Sequence, residues 1–100
     1  MTNKQDFREV REKHFKTLEQ FVPIVARVHG KAHPEFLEVQ KVFTVLAKKI
    51  KDAGSEVPDL NEEFAQLREI TNNYTVPEDV CESYEAVYKM LAELDQAYQV

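Results

Sequence analysis

Apolar residues return every three or four positions through most of this chain, the spacing that gathers them on one face of an α-helix. In the first segment Phe7, Val10, His14, Leu18, Phe21, Val25 and Val28 mark such a face. Asn3 is placed to cap its start, with Asp6 as the acid three residues on, and Gly30 to end it. Pro23 lacks an amide donor and crowds the carbonyl of Glu19, so a bend is expected there. Pro34 suits the first turn of a second helix, whose stripe is Phe36, Val39, Phe43, Leu46, Ile50 and Ala53, stopped by Gly54. Asp59 and Glu62 read as the capping pair of a third helix, with Leu60, Phe64, Leu67 and Ile70 or Thr71 on its inner face. Thr75 and Glu78, with Pro77 between them, have the pattern of a capping box for a fourth. Behind that box run Val80, Tyr84, Val87, Leu91, Leu94 and Tyr98, widened by Cys81 and Tyr88.

The helices are therefore expected over about 4–29, 34–53, 60–73 and 76–98. Short linkers (GKAH, GSEVP, NNYTV) force neighbouring helices to run antiparallel. No segment alternates with period two for long enough to compete as a strand, and no repeat suggests a solenoid. One hundred residues supply one shared interior. The fold expected is a single all-α domain, an antiparallel four-helix bundle.

Composition narrows the function classes. Hydrophobic residues at 43% and charged residues at 31% are a globular balance. Thirteen Lys and Arg against 18 Asp and Glu give a net charge of −5, which repels a phosphate backbone unless the basic residues cluster. Lys48, Lys49 and Lys51 do cluster, but near a helix end where positive charge opposes the macrodipole. No nucleic-acid partner is expected. Apolar runs such as Phe21 to Ala26 fall far short of the roughly 20 residues that span a bilayer, so no membrane partner is expected either. The opening MTNKQDFREV has no apolar core for a secretory leader, and Cys81, being alone, forms no internal disulfide. A cytoplasmic location follows as an expectation.

Candidate chemistry is sparse. The histidines are His14, His29 and His33, and no Glu-x-x-His or His-x-x-x-Glu pair accompanies them. By spacing alone His14 and His29 read as structural or capping, and His33, before Pro34, as capping or solvated. Cys81, in the expected first turn of the fourth helix, is expected to be buried and inert. Tyr74, Tyr84, Tyr88 and Tyr98 read as packing groups, and Glu62, Glu63 and Glu69 as a solvated face. Two glycines leave no phosphate-binding loop.

Two stretches, VARVHGKAHPEFLEVQKVF (residues 25–43) and LREITNNYTVPEDVCESYEAVYKMLAEL (residues 67–94), resemble the hemerythrin-like di-iron proteins associated with iron–sulfur cluster repair. With the first helix, the resemblance covers roughly residues 7–100. It implies a four-helix bundle whose histidines and glutamates hold two irons. Carried over position by position, His29 falls on an iron-ligand histidine, while Arg8 stands about where the first helix supplies another and His14 is out of register. The family's HMxKEE motif is missing, since Lys49-Ile50-Lys51 passes directly to the linker of residues 54–58. Val57 lies near the position of the histidine that opens the third helix, and the last histidine–glutamate pair would begin just beyond Val100.

The resemblance thus implies a bundle that keeps its family's packing without most of its metal ligands, with His29 as the one remaining metal candidate. The function expected is that of a non-catalytic, metal-free domain with no cofactor, acting by protein contact or self-association in a stress response. The alternative is a di-iron repair protein whose iron site is completed by another chain or by a continuation past Val100. Phe15, Val22, Leu37, Val42 and Val45 widen the apolar faces, so a homodimer or another protein partner is expected.

Overall fold

The apolar stripes become four α-helices in the computed structural model, which describes residues 3–99. These are α1 (Asn3–His29), α2 (Glu35–Ala53), α3 (Asn61–Thr71) and α4 (Glu82–Gln99). Among the described residues there is no strand, so the fold is all-α. The expected Asn3–Asp6 cap lies outside the described side chains. α1 continues through Pro23, which sits on its exposed side and forfeits a single amide bond. At a rise of about 1.5 Å per residue its 27 residues span about 40 Å, which sets the 39 Å long axis of the molecule.

α1 packs along α4 and α2, and α2 along α3. Contacts at the two ends fix the directions. Phe7 meets Tyr98 at 5.6 Å between ring centres, and His29 meets Tyr84 at 5.5 Å, so α1 and α4 are antiparallel. The Leu60 amide donates to the Tyr98 hydroxyl at 2.8 Å and Arg68 lies 3.6 Å from Asp95, which sets α3 antiparallel to α4. The interior is built from Leu18, Val22 and Val25 of α1, Phe36, Val39 and Leu46 of α2, Phe64 and Leu67 of α3, and Tyr84, Val87, Leu91 and Leu94 of α4. Each such side chain contributes about 1.5–3 kcal/mol on leaving water.

The inward line of α1 steps Leu18, Val22, Val25, His29. Val28 therefore falls on its flank, 64% exposed, although it keeps the spacing of the expected stripe. Of the residues that widen the faces, Val22 is buried and Phe15 and Val42 are half-buried, while Leu37 and Val45 stay exposed.

Two boundaries differ from expectation. α3 stops at Thr71 because its hydroxyl donates to the Leu67 carbonyl at 2.7 Å and accepts the Tyr74 amide at 2.7 Å. That bond holds Asn72, Asn73 and Tyr74 in consecutive left-handed conformations (φ 52°, 58° and 61°). α4 starts at Glu82, not at residue 76. The Thr75 hydroxyl donates back to the Asn72 carbonyl at 2.6 Å, so it closes the preceding turn instead of capping a helix. The first α4 bond runs from the Glu85 amide to the Cys81 carbonyl at 3.1 Å. At α3 the N-cap is Leu60, which makes no side-chain cap bond, so Asp59 and Glu62 do not form the expected capping pair. The Asp59 carboxylate instead accepts the Asn61 amide at 3.1 Å in the turn just ahead of the helix.

Candidate functional site

The residues singled out by the resemblance do not meet in one place. His29 ends α1, whereas Arg8 is near its start, exposed to solvent. Twenty-one residues of continuous helix separate them, about 30 Å, against the roughly 4 Å between the metals of a binuclear centre. His29 and the Arg8 position therefore cannot serve one centre in this fold.

At the Arg8 end, Phe7, Val57, Pro58, Asp59, Asn61, Tyr98 and Gln99 line a cleft of about 430 Å³. Val57, the third position matched to a ligand in the resemblance, thus stands where the start of α1, the α2–α3 linker and the last turn of α4 converge. The cleft holds no histidine, and Asp59, its one carboxylate, already accepts from Asn61. A pair of irons needs several histidines and bridging carboxylates, so the side chains of this cleft do not fit it.

The opposite end is more polar. His29 Nε2 lies 3.1 Å from Cys81 Sγ, close enough to share a proton. Cys81 is exposed, contrary to the expected burial, because α4 starts one residue later and leaves the sulfur outside the bundle. Beside it, His33 Nδ1 donates to Glu35 Oε2 at 3.0 Å. His33 Nε2 stands 3.1 Å from Asp79 Oδ1 but lies off the hydrogen-bond direction, so this buried nitrogen has no hydrogen-bond partner. The Tyr84 hydroxyl reaches Glu35 at 3.4 Å and shares a 3.1 Å hydrogen bond with Tyr88. Burial raises the pKa of both phenols, so they stay neutral well above the usual tyrosine range; the carboxylate of Glu35 adds to that rise.

This end therefore gathers four segments, with the last turn of α1, the α1–α2 linker, the start of α2 and the linker before α4 joined through His29, His33, Glu35, Asp79 and Cys81. The grouping escaped sequence reasoning because Cys81 and Asp79 are some fifty residues from the histidines. The spacing His29-x-x-x-His33, with Glu35 two residues on, was the one local signal. His14, in turn, donates to Glu93 at 2.6 Å across the α1–α4 seam, which fits a structural role. Among the described residues no three His, Cys, Asp or Glu side chains are placed to enclose a metal ion, and no helix is long and apolar enough to cross a membrane.

No protein-family model matches the chain, and no solved structure gives a significant match. Among curated proteins it is similar to the iron-sulfur cluster repair protein ScdA of Staphylococcus haemolyticus, 23% identical over 121 aligned positions covering 90% of this chain and 54% of that protein. The ScdA proteins of two Staphylococcus epidermidis strains match at 22% identity with the same coverage. The aligned span is longer than this whole chain, so the relatives carry segments within it that this chain lacks. The chain spans about half the length of the curated relatives it matches, and its similarity is to iron–sulfur cluster repair proteins.

Proposed function

We propose that this chain takes part in iron–sulfur cluster repair as a metal-free helical module that acts by contact with other proteins, including copies of itself, and holds no resident di-iron centre of its own. The observation that carries the reading is the separation of the ligand positions. Val57 sits in the cleft at the Arg8 end, which holds no histidine, while His29 lies about 30 Å away beside Cys81. The similarity to ScdA supports the repair context, and the packed interior of Phe36, Tyr84 and Tyr88 supports a bundle that needs no metal to hold it together. Deleting the chain should slow recovery of a [4Fe–4S] dehydratase after peroxide damage in cells, with initial dehydratase activity unchanged. Equal recovery with and without the chain contradicts the repair role.

A second reading is favoured by one detail. Tyr98 and Gln99 line the cleft, so a continuation of α4 would leave the molecule at the rim where the missing ligands are needed. On that reading a longer chain, or a second chain, supplies histidines and carboxylates there and iron is held between them. Iron binding that appears only with such an extension supports this reading over the metal-free one.

A further inference from the structure

The charges of this chain are sorted between its two hairpins. Residues 1–53, the part of the sequence that includes α1 and α2, carry 11 of the 13 Lys and Arg against 7 acidic residues. Residues 54–100 carry 11 acidic residues against 2 basic ones. One side of the bundle is thus net positive by four and the other net negative by nine, although the whole is acidic.

The positive side also has the open apolar surface. Two adjoining clefts of about 410 and 310 Å³ follow the seam between α1 and α2, meeting at Lys51. Phe15, Val22, Phe43, Ala47 and Ile50 give them apolar walls, and Arg11, Lys16 and Lys48 stand at their margins. The exposed large apolar residues of the described chain, Ile24, Val28, Leu37 and Val45, are all on α1 and α2.

From this combination we propose that the α1–α2 seam is a docking groove for an acidic amphipathic helix of another protein. The apolar walls take the helix's hydrophobic side chains, and the positive hairpin attracts its carboxylates. A second copy is a poorer occupant. Its own α1–α2 face would bring positive charge against positive charge, and its acidic α3–α4 face offers no large exposed apolar residue among those described. A bilayer is poorer too, because the groove is concave and a flat lipid surface does not reach its apolar walls. The groove shares no lining residue with the Val57 cleft or with the His29 cluster, and its occupancy does not depend on iron.

The test is an NMR titration of the ¹⁵N-labelled full chain with a helical peptide carrying leucines on one face and glutamates on the other. A peptide with lysines in place of the glutamates and vesicles of phosphatidylglycerol serve as comparisons. The expected result is a set of shifts confined to residues 11–23 and 40–54, with binding about tenfold weaker for the lysine peptide and for the Lys16→Glu, Lys48→Glu variant. Both lysines are exposed, so the variant should keep the parent's circular dichroism. Shifts on α3 and α4, equal binding of the two peptides, shifts that grow with protein concentration alone, or binding to vesicles but not to the acidic peptide would each overturn the proposal.

Discussion

Gly30 adjoins His29 where the chain leaves α1, and the structure gives it a role that its place at a helix end only partly conveys. A Cβ added there would overlap the carbonyl oxygen of Ala26 and stand 2.9 Å from Leu37 Cδ2. Leu37 is 41% exposed, so its side chain can swing aside. The Ala26 carbonyl cannot, because it accepts the Gly30 amide at 2.9 Å and belongs to the last turn of α1. Gly30→Ala must therefore shift backbone. Overpacking of this kind costs about 1–3 kcal/mol, and the lower chain entropy of unfolded alanine returns about 0.4–1 kcal/mol. The net loss should be about 1–2 kcal/mol, or roughly 4–15 °C in melting temperature for a domain of this size. Urea denaturation checks this, with the midpoint falling at unchanged slope. Adding Leu37→Ala should not rescue the variant, since the backbone overlap remains. A Gly30→Ala protein as stable as its parent, or full rescue by Leu37→Ala, would refute the reasoning.

Three further outcomes follow from particular contacts. Asp95 is buried and accepts from Tyr74 at 2.8 Å and Gln99 at 3.1 Å with Arg68 nearby, so Asp95→Ala should cost roughly 3 kcal/mol by stranding those donors, read by chemical denaturation. Burial raises the folded pKa of Tyr84 and Tyr88, so the unfolded chain releases these protons first, and stability present below pH 10 should fall above it by up to roughly 1.4 kcal/mol per pH unit for each phenol. Denaturation midpoints that hold steady from pH 9 to 11 would contradict this. Cys81, being exposed, should react with a disulfide reagent in the folded protein at a rate within about tenfold of the unfolded chain, whereas burial would slow it by orders of magnitude.

The bundle was legible in the sequence because its core obeys one simple rule. Phe36, Val39, Phe43, Leu46 and Ile50 recur at helical spacing and are all buried. Local rules failed where a side chain acted on a distant or unexpected partner. Thr75 has the sequence of a helix cap, yet its hydroxyl closes a left-handed turn of Asn72, Asn73 and Tyr74, a conformation that asparagine tolerates and that spacing does not encode. The shortened α4 then leaves Cys81 outside the bundle and beside His29. The start of α3 shows the same limit, since its Leu60 amide is satisfied by the hydroxyl of Tyr98, 38 residues away. Ligand positions such as Arg8 and His29 can be matched one by one along a sequence, but only the unbroken course of α1 reveals that they are a helix apart.

The central claim is that this chain alone holds no pair of irons, and ferrous iron binding under anaerobic conditions tests it most directly. Purified protein and its His29→Ala form should each retain far less than one iron per chain after excess metal is removed, with no absorption characteristic of a bridged ferric pair on exposure to air. Two irons per parent chain, lost in His29→Ala, would contradict the account and place a metal centre at the His29 end of the bundle.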